Sequence, residues 1–233
     1  AEILKANGYA TGIFGKWHNG AQYPNDPNGQ GFDEFVGFCA GHWNNYFDTK
    51  LQHNQKTIQS EGYLTDFLTD KAIQFIEKNA TQPFFCYIPY NTPHSPMQVA
   101  DKYFDKYKAM GLTDFNAAAY GMVENIDDNV GKILNSLASL GLDNNTIVIF
   151  TTDNGPNGNR FNGNMKGRKG SYDEGGVRVP FFLRYPNGNL AKGQAMTELT
   201  AHIDLLPTLS DLCGIALPDS LELDGKNITP LLK

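Results

Sequence analysis

The chain has 233 residues, 40% of them hydrophobic and 19% charged, enough apolar material for a sizeable core in one large domain or two small ones. Its 24 glycines and 12 prolines are too few for a disordered chain. With 19 Lys and Arg against 25 Asp and Glu the formal net charge is −6, which excludes a strongly basic nucleic-acid-binding surface while leaving room for a locally cationic site.

Residues 1–7 read as the end of a helix stopped by Gly8. Because Ala1-Glu2-Ile3-Leu4-Lys5 looks like the middle of a helix, the natural start is expected upstream. Tyr9 to Phe14, small and apolar, predicts a strand. Residues 19–60, rich in Asn, Gln, Gly and aromatics without a steady period, predict long loops. Leu64, Phe67, Leu68, Ala72, Phe75 and Ile76 recur at helical spacing over about 62–79. Phe84 to Ile88 is a continuous apolar run, predicting a strand buried on both faces. Val123, Ile126, Val130, Ile133, Leu134, Leu137 and Leu140 mark a long helix over about 115–140, closed by Gly141. Thr146 to Phe150 predicts a buried strand, a Gly-rich loop runs through 176, Val179 to Arg184 predicts another strand, and His202 to Cys213 a helix kinked or started near Pro207.

Strands alternating with helices predict an α/β fold with a largely parallel central sheet flanked by helices. Ligands of such sheets bind beyond the carboxyl ends of the strands. Cys39, Cys86 and Cys213 form neither a C-x-x-C pair nor a disulfide framework, so the redox compartment stays open. No apolar run approaches the roughly 18 residues of a membrane span.

The polar signals gather at predicted strand ends. Lys16 and His18 alternate, so a continuing strand puts an ammonium and an imidazole on one face, a pairing suited to an oxyanion. The plainer reading is a strand-end lysine and a satisfied histidine. His94 lies between Pro93 and, two residues on, Pro96, which restrict the backbone around a candidate general acid; a turn histidine is the plainer reading. Asp153-Asn154-Gly155 offers hard oxygen ligands for Ca²⁺ or Mg²⁺, or simply an Asx turn, and two ligands are too few for a Ca²⁺ shell of ~6–8 oxygens. Lys169 lies in the basic, glycine-rich run 166–176, either an anion cradle or a solvated loop paired with Asp173 and Glu174. His42, Trp43, Asn44, Asn45 and Tyr46 combine rings and amides that suit a sugar, or form a structural aromatic loop.

Taken together these residues resemble a known family. Tyr9-Ala10-Thr11-Gly12-Ile13-Phe14-Gly15-Lys16-Trp17-His18 is similar to the sulfatase signature of the G-Y-x-T-x-x-x-G-K-W-H type. Thr152-Asp153-Asn154-Gly155, the run Lys169 to Pro180, Asp204-Leu205-Leu206-Pro207-Thr208-Leu209 and Leu223 to Leu232 resemble that family's later motifs in order. The resemblance implies the alkaline-phosphatase-like fold and hydrolysis of sulfate esters of small molecules or saccharides. It implies that Lys16 and Lys169 hold sulfate oxygens, that His18 hydrogen-bonds the nucleophile, that His94 stands near the leaving-group oxygen, and that Asp153 and Asn154 bind one divalent metal, usually Ca²⁺ with Mg²⁺ as the other choice. A periplasmic, extracellular or lysosomal address also follows from kinship alone.

The departures are as specific. The family makes a formylglycine nucleophile in a C/S-x-P-x-R element, and no Cys or Ser of this chain leads one. The family's paired acidic metal ligands near its start are also missing. Residues 1–233 are therefore expected to be part of one catalytic domain, cut before the nucleophile and before the C-terminal subdomain, and inactive alone. Two rivals stand beside this reading. A phosphoester or phosphonate hydrolase of the same superfamily would carry His where Asn154 stands, because imidazole suits zinc. A non-catalytic sulfated-glycan-binding protein would keep the cationic residues without a nucleophile.

Overall fold

A computed structural model describes residues 1–233. The chain divides into two compact units, residues 1–142 with 201–227, and residues 143–200 with 228–233.

The first unit is built on a sheet of five strands: β1 (Ala10–Lys16), β2 (Glu34–Phe38), β3 (Lys50–His53), β4 (Lys56–Gln59) and β5 (Phe84–Tyr87), in the order β4-β3-β2-β1-β5. β1 pairs in parallel with both β2 and β5, and the β3–β4 hairpin extends the sheet antiparallel from β2. Helices α1 (Glu2–Ala6), α2 (Leu64–Lys78), α3 (Asp101–Ala109) and α4 (Asp114–Ser139) join it in chain order. The α/β architecture expected from alternating elements is thus present, with the parallel pairings gathered on β1.

Burial explains why these segments form these elements. Ile13 and Phe14 of β1 and Phe35, Val36 and Phe38 of β2 are buried. The apolar stripe of α2, with Leu64, Leu68, Ala72, Phe75 and Ile76 all buried, covers the sheet, and the Phe14 and Phe75 rings lie 5.5 Å apart. Thr113 caps α4 by accepting from the Asn116 N–H at 3.3 Å, and Gly141 (φ 70°) closes its far end. Where α2 meets α4 the buried amides of Asn125 and Asn129 donate to Asp66 Oδ1 at 2.9 and 2.6 Å, so the polar groups in that seam are paired.

Two expectations are corrected. Stretch 19–60, expected to be loops, contains β2, β3 and β4. β2 lies between two strands and is buried on both faces, so it carries no alternation, and the edge hairpin β3–β4 is short and mostly polar. β5, expected to be buried on both faces, is an edge strand paired only with β1. Phe84 meets Phe75 edge-on and Phe85 stacks on Phe32, yet the strand is only half-buried and Tyr87 is 46% exposed.

The last element of this unit, α6 (Leu205–Leu212), follows a 3₁₀ turn over His202–Asp204 and takes Pro207 into its first turn, where a missing N–H costs no helical bond. Asp204 ties the segment together: its Oδ2 accepts from the Ala201 N–H at 2.8 Å and its Oδ1 from the Lys226 N–H at 2.7 Å. Those donors, Lys226 first, hold the carboxyl below the usual carboxylate range.

The second unit contains β6 (Val148–Thr151), α5 (Glu174–Val177), β7 (Phe181–Arg184) and α7 (Thr229–Leu232). β6 and β7 pair antiparallel over four residues each, with Phe150 against Phe182. β6 is half-buried rather than buried, a further difference from the sequence expectation.

Candidate active site

β1, β2 and β5 run in the same direction, so their carboxyl ends lie along one edge of the sheet. Lys16 is the last residue of β1. The backbone stays bonded past that point: the Lys16 N–H donates to the Pro89 carbonyl at 2.7 Å and the Trp17 N–H to the Phe38 carbonyl at 2.9 Å. Trp17 packs against the buried Ile13, Phe32 and Phe35 cluster, and its indole N–H donates to the Asn25 carbonyl at 2.9 Å. With Trp17 held inward, alternation places Lys16 and His18 on the other side. Lys16 is half-buried, forms no ion pair, and His18 is exposed. The His18 ring is packed against the backbone of Gly41, where a Cβ would come within 2.5 Å of Nε2, and Gly41 has φ 80°. Only glycine meets both conditions.

His94 follows β5. Its Nδ1 lies 2.8 Å from the Ser95 carbonyl, and a carbonyl only accepts, so Nδ1 carries the proton and Nε2 is the ring atom left for chemistry. The loop that holds it is bonded to the loop after β2. Tyr46, fully buried, donates from its hydroxyl to the His94 carbonyl at 2.7 Å and accepts from Asn91 Nδ2 at 2.6 Å; Asn91 Nδ2 also reaches the Trp43 carbonyl at 3.2 Å. Burial raises the Tyr46 pKa far above its ordinary value, so the hydroxyl stays a neutral donor. Trp43 stacks on Phe38 and donates to Thr49 Oγ1 at 2.7 Å. The aromatic loop 42–46 therefore divides: Trp43 and Tyr46 are structural, whereas His42, Asn44 and Asn45 are exposed. The His42 and His94 ring centroids lie 5.8 Å apart.

In the second unit Asp153 and Asn154 follow β6 after one residue, Thr152. The turn is set by backbone contact: the Gly155 N–H donates to the Gly176 carbonyl at 2.9 Å, and a Cβ on Gly155 would come within 1.9 Å of the Gly175 carbonyl oxygen. The Lys169 N–H donates to the Pro156 carbonyl at 3.0 Å, which brings Lys169 back to the Asp153–Asn154 turn. The basic run is sorted by its partners. Lys166 pairs with Asp173 at 3.0 Å and Arg178 with Glu174 at 3.5 Å, while the Lys169 ammonium takes part in no ion pair. The solvated-loop reading thus fits Lys166, while Lys169, and Arg168 with only the Asn159 amide oxygen as partner, remain cations available to an anion.

The structure accordingly brings Lys16, His18 and His94 to neighbouring strand ends of the first unit, and Asp153, Asn154 and Lys169 to one group of loops in the second. The packing of His42 on His94 was missed, and the missing signal was β2: once 34–38 is a parallel strand, loop 39–46 falls at a strand's carboxyl end. Cys39 and Cys86 are poor nucleophiles. Burial pushes the Cys86 thiol far up and the Cys39 thiol up as well, so neither is a ready thiolate. For a metal, Asp153 and Asn154 provide the oxygen chemistry of a hard cation, but no group of three or more His, Cys, Asp or Glu comes together. These residues fit part of such a site.

The family profile described as Sulfatase matches residues 1–215. The uncharacterized sulfatase YdeN of Escherichia coli (strain K12) is 32% identical over 262 residues, covering 100% of this chain and 46% of that protein. The N-acetylgalactosamine-6-sulfatase of Mus musculus is 33% identical over 258 residues, covering 99% of this chain and 48% of that protein. The crystal structure of Ps i-CgsB in complex with k-i-k-neocarrahexaose superposes with a TM-score of 0.93 at 33% identity, over 98% of this chain and 56% of that one. The chain spans about half the length of the curated relatives it matches.

Proposed function

The chain belongs to the sulfatase family, and from that premise we propose that the complete protein is a sulfuric ester hydrolase acting on sulfated saccharides, of which residues 1–233 supply part of one catalytic domain. The observation that carries the reading is the Lys16-Trp17-His18 element at the carboxyl end of β1, next to the β5 end that carries His94. Sulfuryl transfer spreads negative charge over the non-bridging and leaving oxygens, and fixed cations with a placed proton donor lower that barrier. Lys16 and Lys169 are assigned to the sulfate oxygens and His18 to the nucleophile. His94, with its Nδ1 proton given to the Ser95 carbonyl, delivers a proton from Nε2 to the departing alcohol when the ring enters the reaction as the imidazolium, and is left neutral. The formylglycine nucleophile is read as lying upstream of Ala1.

A divalent metal, when bound, would polarise a sulfate oxygen. Asp153 and Asn154 would give it two oxygens, and oxygen donors favour Ca²⁺ over zinc. The same amide argues against the two-zinc phosphoesterase reading. A saccharide is favoured over a steroid or simple aryl group because His42, Asn44 and Asn45, the exposed residues of the loop beside His94, are all hydrogen-bonding. The similarity to Ps i-CgsB, solved with k-i-k-neocarrahexaose, supports the same choice. A periplasmic, extracellular or lysosomal address goes with this reading and is tested by cell fractionation.

The deciding experiment measures sulfate release by the purified complete protein from N-acetylgalactosamine 6-sulfate and k-i-k-neocarrahexaose. The expected result is turnover that is lost on chelation and restored by Ca²⁺, with none from residues 1–233 alone. Cleavage of phosphonate monoesters with two zincs per chain would favour the phosphoesterase, and binding of sulfated saccharide without release would make the protein a glycan-binding module.

A further inference from the structure

His42 has no assigned role in the chemistry above, yet it stands beside both imidazoles that the proposed reaction uses. Its ring lies 5.8 Å, centroid to centroid, from that of His94, tilted by 31°. The residue before it, Gly41, is the one whose backbone packs on the His18 ring. The loop carrying it is not loose. Gly41 N–H donates to the Trp17 carbonyl at 3.3 Å, Trp43 is stacked on Phe38, and Tyr46 is locked to Asn91 and His94. The backbone on both sides of His42 is therefore fixed by structural neighbours, while the side chain itself is exposed and has no hydrogen-bond or ion-pair partner within the protein. A histidine that packs for stability normally spends a ring nitrogen on a partner. This one is exposed, with its ring beside that of the candidate proton donor and neither nitrogen bonded within the protein.

We infer that His42 is a specificity-determining residue of this site: its imidazole binds the saccharide portion of the ester beside His94, on the leaving-group side. A sugar offers what such a group takes, a C–H face for the ring and hydroxyls for the nitrogens. Asn44 and Asn45, exposed two and three residues further on, continue the same polar rim. The inference rests on the saccharide sulfatase reading given above and adds to it the residue that reads the alcohol.

The test uses the complete protein with two substrates, N-acetylgalactosamine 6-sulfate and 4-nitrophenyl sulfate, which share the sulfate and differ in the alcohol. His42→Ala is expected to raise KM for the sugar sulfate about tenfold, the scale of one lost hydrogen bond, with kcat within about twofold. Kinetics on the aryl sulfate should stay within about twofold. His42→Gln, which keeps a hydrogen-bonding group without the ring, should recover part of the KM and controls for any loss of folding in the alanine variant. Equal losses of kcat on both substrates would reduce His42 to a support for His94, and unchanged kinetics on both would remove it from the site; either overturns the inference. Failure of the underlying reading shows separately, because the unsubstituted protein would then release no sulfate from the sugar.

Discussion

The two units position their candidate residues by different means. In the first, Lys16, His18 and His94 follow strands whose side chains form a packed core; Lys16 N–H is bonded to the Pro89 carbonyl, and the His94 loop is bonded to the loop after β2 through Tyr46 and Asn91. In the second, Asp153, Asn154 and Lys169 lie on loops ordered by backbone meeting backbone: Gly155 against Gly175 and Gly176, and the Lys169 N–H on the Pro156 carbonyl. A site residue on a strand end inherits rigidity from side-chain packing. One on a glycine-threaded loop depends on the absence of a Cβ at a few positions. The first arrangement ties site geometry to global stability, and the second separates them.

Substitutions should expose that difference. Phe14→Ala, at a fully buried ring packed on Phe75, should destabilise the complete protein by about 3–5 kcal/mol in urea denaturation, with activity falling only as the folded fraction falls. Gly155→Ala should do the reverse. The new methyl would run into the Gly175 carbonyl and push the Asp153–Asn154 turn aside, lowering kcat about 100-fold, as a displacement near 1 Å does, with a much smaller change in the denaturation midpoint. If Gly155→Ala unfolds the protein as readily as Phe14→Ala, the contrast fails.

Tyr46→Phe tests the connection within the first unit. It leaves the Asn91 amide and the His94 carbonyl without their hydroxyl partner, a cost of about 1–3 kcal/mol, and kcat should fall with stability because the same bonds hold the His94 loop. An unchanged kcat would show that the Tyr46 bonds do not set the His94 position.

The smallest effect is expected at Asp204. Its folded-state pKa is depressed, so its contribution is present above the unfolded value, roughly 3.9, and is lost as pH falls through the lower folded value. Asp204→Asn should lower the thermal midpoint at neutral pH and flatten its decline on acidification. A decline as steep as in the unsubstituted protein would remove Asp204 from the acid response.

The candidate residues were legible because each stands at or in the loop beyond a strand's carboxyl end, or in a glycine-rich run, with a side chain whose chemistry is unusual there. Lys16, His18, His94, Asp153 and Lys169 could all be picked in that way. The helices α2 and α4 were legible too, since a one-sided apolar stripe is written in 3.6-residue spacing. β2 was not, because a strand covered on both faces has no alternation to read.

What the sequence determined by itself was the family, the α/β plan and the residues with chemistry to offer, since motif order and apolar periodicity are local properties of the chain. Tertiary structure alone decided that β5 is an edge, that Lys166 is tied down while Lys169 is not, and that Tyr46 is buried and Trp43 stacked on Phe38 while His42 is exposed. Those outcomes depend on which distant segment supplies the covering surface or the opposite charge, and neighbours in space are not written in neighbours along the chain.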